Sequence, residues 1–315
     1  MEYRMLGESG ILVSRLCFGA LTVGPLQVNL ALSQGAAVIR HALEAGINFI
    51  DTAELYDTYP YIKEALQGLD KRVVIATKSY AYTGEGMGES LNKALRSLGR
   101  EYIDIFLLHE QESALTIRGH WGAVECLVKA KEAGLVRAIG ISTHSVEGVR
   151  AAALIPEFDI IQPLINITGI GIRDGGREEM LAAIREAALL GKGIYGMKAL
   201  GGGNLLDRAD EALGFVFSIP ELAAVAVGMS STLEVDFNAA FFTNRTIPQE
   251  LRARVNRQNR RLIIEDWCPG CGQCIKRCGA GALMLVEGRA VVDQSRCRLC
   301  GYCGAVCPEF CIKIV

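Results

Sequence analysis

The sequence lacks the marks of a nucleic-acid binder, a membrane protein or a secreted one. Charge of neither sign is in surplus, since 33 Lys and Arg stand against 35 Asp and Glu, and apart from a basic, helix-like stretch from Arg252 to Arg261 the cations are spread out. That stretch reads as a solvated helix face, so no nucleic-acid footprint is expected. Long apolar runs are missing too. The longest apolar region, Leu213 to Met229, is broken by Pro220 and Glu221 into pieces that suit a helix end and a buried strand rather than a membrane span. Met1 to Gly10 carries charges and Gly without the apolar stretch of a secretory signal, which makes the cytoplasm the expected location. Aromatics are scarce at 7%, yet half of the 315 residues are apolar, enough for one large core or a large core with a small one.

Cysteine, by contrast, is abundant and unevenly placed: nine of the 11 fall within residues 268–315. A reducing compartment makes a disulfide framework a poor account of them. They read Cys268-x2-Cys271-x2-Cys274-x3-Cys278 and Cys297-x2-Cys300-x2-Cys303-x3-Cys307-Pro308, each residue of the second run lying 29 after its counterpart. Zinc sites use pairs with wider gaps, whereas three thiolates on one tight loop suit three corners of an iron-sulfur cubane. In this ferredoxin pattern the fourth cysteine of each run ligates the other cluster. Cluster one is therefore expected on Cys268, Cys271, Cys274 and Cys307, and cluster two on Cys297, Cys300, Cys303 and Cys278. Cys311 corresponds to Ala282 in the repeat and reads as a small core residue. Cys17 and Cys126, on an apolar strand and a helix, read as buried thiols.

Between Arg15 and Ala240, eight short apolar runs alternate with eight segments of helical period, several of them closed by Gly (Gly46, Gly99, Gly134, Gly191) as left-handed caps require. The runs end at Gly19, Asp51, Thr77, His109, Ser142, Gln162, Ala199 and Val227. Eight such units in about 240 residues predict an α/β fold, a (β/α)8 TIM barrel, with a hairpin over Tyr3 to Val13 closing its bottom. One more polar helix is expected over Gln249 to Glu265, giving a barrel unit at 1–265 and a small two-cluster ferredoxin unit at 266–315. Barrel active sites sit at the C-terminal strand ends. Those ends offer Asp51, Lys78 and His109, with Tyr56 five residues past Asp51.

The hairpin Tyr3-Arg4-x-Leu6-Gly7, the run Phe49-Ile50-Asp51-Thr52-Ala53-x-x-Tyr56, the strand end Thr77-Lys78, Leu107-Leu108-His109 and Ala138-Ile139-Gly140-Ile141-Ser142 together resemble the aldo-keto reductases over roughly residues 3–245. The resemblance implies a barrel that binds reduced nicotinamide nucleotide in an extended pose. Hydride delivered to a carbonyl carbon leaves charge on oxygen, so an acid must supply a proton. Tyr56 is expected as that acid, Lys78 as the ammonium lowering its pKa, Asp51 as the anchor of Lys78, and His109 as a neutral donor orienting the carbonyl. The resemblance further assigns the nicotinamide carboxamide to Ser142 and Gln162, with Thr143 where the family has Asn, and puts Met197 where an aromatic ring stacks. Gly201-Gly202-Gly203 offer close approach to a pyrophosphate. Gly228-Met229-Ser230-Ser231 with Glu234 stand where NADPH-preferring members carry Lys and Arg, so NADH is expected to serve at least as well as NADPH. Gly19 and Asn238 complete the nucleotide set. Tyr80, Tyr82, His120 and Trp121 are candidates for shaping the substrate end, although packing explains each of them as well.

Two functions are thus expected to compete. One is an oxidoreductase reducing a small carbonyl compound, or oxidising the alcohol, with NADH or NADPH, fused to 4Fe-4S electron transfer and served by a redox partner protein, in an organism of low-oxygen habitats. The other is an electron-transfer or redox-sensing protein in which the barrel is a docking scaffold or binds a flavin.

Overall fold

The computed structural model describes residues 1–70, 72–256 and 259–315. Eight parallel strands close into a barrel in chain order: Leu16–Gly19, Phe49–Asp51, Val74–Ser79, Ile103–Leu108, Val136–Thr143, Ile160–Pro163, Gly193–Met197 and Ala224–Gly228, the last pairing back onto the first. The strands are near-continuous runs of buried residues because both faces are covered, by side chains inside and helices outside. Inside, Cys17, Phe49, Val74, Ile105, Leu107, Ala138, Ile160 and Tyr195 interdigitate. The hairpin Tyr3–Met5 with Leu12–Ser14 plugs the bottom by adding Leu6, Ile11 and Val13 to the same cluster. Outside, each strand is followed by a helix at the expected place. The third helix starts at Gly84, where the Thr83 side chain caps it by accepting from the Gly86 amide at 3.1 Å. A short helix, Ala114–Gly119, is added after the fourth strand.

The helix expected over Gln249 to Glu265 is corrected. It covers Gln249–Asn256; Arg257 and Gln258 lie outside the described residues; and Leu262–Ile264 is a strand, antiparallel to the final strand Ile312–Ile314. Its partner lies 50 residues on, so local periodicity could not disclose it.

From there the chain forms a cysteine-rich unit with an internal twofold. Helices Gln273–Arg277 and Tyr302–Ala305 start 29 residues apart, each preceded by a left-handed glycine, Gly272 at φ 73° and Gly301 at φ 74°. The amides of Ala282 and Cys311 donate to the sulfurs of Cys278 and Cys307, both at 3.3 Å. A second hairpin pairs Leu283–Val286 with Arg289–Val292.

This unit sits on the barrel mouth. Phe310 packs with Leu164 and Met197, and the Asn204 side chain donates to the Ile312 carbonyl at 3.0 Å. The glycines after the seventh strand permit the contact: a Cβ on Gly203 would lie 2.0 Å from the Ile314 carbonyl oxygen, and one on Gly202 would lie 2.7 Å from Lys313 Cδ. The close backbone approach expected for a pyrophosphate is thus taken up by the chain's own last strand.

Candidate active site and cysteine cavities

Three strand ends and the turn Glu54–Tyr56 after the second strand bring the four expected side chains to one place. Lys78, on the third strand and 1% exposed, donates to Asp51 Oδ2 and to the Thr52 carbonyl, both at 2.8 Å. The other carboxylate oxygen, Asp51 Oδ1, accepts from Gln162 Nε2 and the Tyr195 hydroxyl, each at 2.9 Å. Asp51 therefore carries a full set of donors, which is what keeps a charge inside a barrel tolerable. The Tyr56 hydroxyl lies 3.4 Å from His109 Nε2. Burial, and then the Lys78 ammonium, hold the His109 imidazole well below its ordinary range, so it is neutral at pH 7.

One expectation about this group fails. The Lys78 ammonium lies over the face of the Tyr56 ring, 5.2 Å from its centroid, and its bonds go to Asp51 and Thr52 rather than to the hydroxyl. The Tyr56 hydroxyl is raised well above its ordinary range by burial and by the Asp51 and Glu110 carboxylates, not lowered. An ammonium neutralised by its own anchor has little field left for the phenol.

A cavity runs from Asp51 and Tyr56 along the seventh and eighth strand ends. Of the proposed nucleotide residues, Gly19, Met197, Gly202, Gly228, Ser230 and Asn238 line it; Ser142, Thr143, Gln162, Gly201 and Met229 do not. Ser142 accepts from the Glu110 amide at 2.9 Å, and Thr143 is engaged with the backbone of Ser145. Gln162 is different. Its Oε1 is buried without a hydrogen-bond partner, while its Nε2 donates to Asp51. At the far end Glu234 accepts from the Ser230 amide and hydroxyl and pairs with Arg260 at 3.1 Å.

Of the four candidates for the substrate end, Tyr80 stacks on His109 at 4.3 Å and donates to Glu110 at 2.8 Å. Burial opposes the ionisation of Glu110, but His144, His109, the Tyr80 hydroxyl and Lys198 together hold it down at about 2. Tyr82 meets His120 edge-on, while Trp121 is partly exposed. Other residues of the site escape a reading of the sequence. Tyr195 points inward two positions before Met197, a spacing that could have flagged it. Arg260, Phe310 and the C-terminal Val315 reach the mouth from distant sequence and give no local signal.

In the cysteine-rich unit a second cavity is lined by Cys268, Cys271, Cys274 and Cys307, the four thiols expected for cluster one, with Pro269, Pro308 and Ile312 around them. Cys274 and Cys303 are buried and Cys271 and Cys300 exposed, again matching across the repeat. Burial pushes the Cys303 thiol up to about 11, with Cys297 and Cys300 close by. Among the described residues no group of three or more His, Cys, Asp or Glu gathers around a position for a single metal ion. Cys311 is fully buried outside the cavity lining, and Cys17 is fully buried in the barrel interior.

Known proteins agree with this division. The aldo/keto reductase family model matches residues 15–216 and the 4Fe-4S dicluster domain model residues 261–308. L-galactose dehydrogenase of Arabidopsis thaliana is 24% identical over 290 residues, spanning 77% of this chain and 88% of its own. A crystal structure of a Pseudomonas aeruginosa protein assigned to the aldo-keto reductases is 27% identical, covers 77% of this chain and 95% of its own, and superposes with a TM-score of 0.66. Over 54 residues, 17% of this chain and 20% of the relative, the chain is 41% identical to a component of the ion-translocating oxidoreductase complex of Methanosarcina acetivorans. The chain belongs to the aldo/keto reductase family of oxidoreductases and carries a 4Fe-4S dicluster domain after its barrel.

Proposed function

We propose that the barrel reduces a carbonyl compound with NAD(P)H, and that the C-terminal unit, beginning with the strand at Leu262, holds two 4Fe-4S clusters that serve electron transfer with a redox partner. The convergence of Asp51, Tyr56, Lys78 and His109, with Asp51 and Tyr56 lining a cavity that continues to Gly228 and Asn238, carries this reading. Reduced nicotinamide supplies the hydride. His109 Nε2, neutral and 3.4 Å from the Tyr56 hydroxyl, is placed to hold the carbonyl oxygen beside that hydroxyl, from which it takes its proton. Lys78 and Asp51 keep the Tyr56 ring in position. Gln162 Oε1 is the buried acceptor that fits the carboxamide. Cys268, Cys271, Cys274 and Cys307 would hold cluster one, since they surround one cavity; Cys278, Cys297, Cys300 and Cys303 would hold cluster two by the internal twofold.

The test is transfer of label. Anaerobically purified protein given nicotinamide nucleotide deuterated at the transferring carbon should move the deuterium to the carbonyl carbon of a reduced substrate. Nucleotide oxidation that reduces the clusters without labelling any product would favour the scaffold reading, in which the barrel only docks an electron carrier.

A further inference from the structure

Lys198, the residue after the seventh strand, is held in an unusual way. Its φ of 62° is left-handed, a conformation that favours glycine, and it stands shortly before three glycines. The backbone is fixed there by the Gly201 amide, which donates to the Lys198 carbonyl at 2.8 Å, and by the buried Asn166 side chain at 3.4 Å. Strain of this kind marks positions where the side chain, not the backbone, decides the residue. The side chain lines the same cavity as Tyr56, Asp51 and Met197. Phe310, contributed by the C-terminal unit, covers it from the other side with its ring centroid 5.9 Å from the ammonium.

Two of the carboxylates facing Lys198 are committed elsewhere. Asp51 is bonded to Lys78, Gln162 and Tyr195, and Glu110 is bonded to Tyr80 and faces His144. Glu265 and Lys313 face it as well, and Lys313 donates to the Phe310 carbonyl. Among the described residues no carboxylate approaches the Lys198 ammonium closely enough for an ion pair. Burial lowers its pKa, which the carboxylates only partly offset. A cation directed into a reaction cavity with no anion of its own is matched by one on the ligand.

We propose that Lys198 is a substrate-anchoring residue that pairs with a carboxylate on the carbonyl substrate, so that the compound reduced is an oxo acid and the product a hydroxy acid. The inference rests on the carbonyl-reduction reading and names its substrate class. The alternative source of the anion, a phosphate of the nucleotide, is less favoured. Lys198 lies at the Tyr56 end of the cavity, near enough to act on the His109 imidazole, whereas Ser230, Glu234, Asn238 and Arg260 form the opposite end.

The experiment uses the full-length, cluster-loaded protein and a panel of 2-, 3- and 4-oxo acids with their methyl esters. Wild-type protein should prefer an acid to its ester, and Lys198→Met should lower the acid-to-ester ratio of kcat/KM by about tenfold or more, through KM of the acid, as expected for a lost charge-assisted bond. Lys198→Arg should recover part of that ratio. Calorimetric binding of the same acid to protein saturated with oxidised nucleotide, where no turnover occurs, should weaken by a similar factor. Parallel losses for acid and ester would overturn the anchor and leave a residue that shapes the pocket. Weaker nucleotide binding with an unchanged ratio would move the anion to the nucleotide. Reduction of esters without any Lys198-dependent binding of acids would sink the anchor alone. Lys198-dependent binding of an acid by protein that turns over no carbonyl would instead sink the reduction reading and keep the anchor.

Discussion

At the scale of single residues, the catalytic proposal turns on one hydroxyl. Tyr56→Phe keeps the ring over which Lys78 lies and removes the hydroxyl proposed to protonate the new alkoxide. Carbonyl reduction should fall by roughly 10²- to 10⁴-fold with nucleotide affinity and iron content nearly intact, read by steady-state kinetics beside a nucleotide titration. Lys78→Met is a harsher change. It leaves Asp51 buried beside Gln162 and Tyr195 without its cation, which costs about 3–5 kcal/mol of stability, so its activity loss should come with a lower melting temperature. The pH profile follows from two directions. Tyr56 is raised, so it keeps its proton well past neutrality; His109 is lowered, so it stays uncharged into acid. The rate of reduction should be flat from about pH 6 to about pH 9, and a limb near pH 7 would show that one of these two groups titrates there after all. The tetrad was legible because Asp51, Lys78 and His109 lie at the ends of strands whose apolar runs give their positions, and Tyr56 follows Asp51 by five residues. Lys78's true bonding was not, because whether an ammonium faces a ring or a hydroxyl is settled by which acceptors the neighbouring strands present.

Among the elements, the loop after the seventh strand and the chain's last strand depend on each other. Gly203 has φ 87° and no room for a side chain against Ile314. Gly203→Val should destabilise the cluster-loaded protein by ~2 kcal/mol or more through strain and loss of this contact, seen as a lower melting temperature. The repeat makes its own prediction. Two full ligand sets should give about eight iron and about eight sulfide per chain, whereas Cys311→Ala should leave that content unchanged. A cluster lost from the Cys311 variant would mean that the Ala282 correspondence misleads. The eight strands and helices of the barrel were readable from periodicity because each is amphipathic or buried over its own length. The strand Leu262–Ile264 was not: its reason for being extended is Ile312–Ile314, and a pairing across 50 residues leaves no local trace.

For the whole molecule, the C-terminal unit is part of the barrel's pocket as well as a neighbour of it. Ile314 and Val315 line the cavity that Tyr56 lines, and cluster ligation should supply much of the folding energy of so small a unit. Chelating the iron should therefore weaken nucleotide binding severalfold, measured by fluorescence titration of loaded and stripped protein; equal affinities would separate the two units energetically. The same assembly bears on nucleotide choice. Gly228 and Glu234 lack the expected cations, but Arg260 reaches the far end of the cavity from the linker, already paired with Glu234. NADH should still serve at least as well as NADPH, because freeing Arg260 for a phosphate means leaving Glu234 beside it. A tenfold preference for NADPH that disappears in Arg260→Ala would show that the exchange occurs.

The sequence by itself determined what is local or periodic: eight strand-helix units, the residues at their ends, and two cysteine runs whose spacing admits a cubane. Tertiary structure alone decided how the two units meet. Phe310, Lys313 and Val315 lie at the far end of the chain from Tyr56 and Lys78, and only the packing of the last strand against Gly202 and Gly203 brings them to one mouth. Contacts of that kind depend on shape across long sequence separations, which neither period nor spacing encodes.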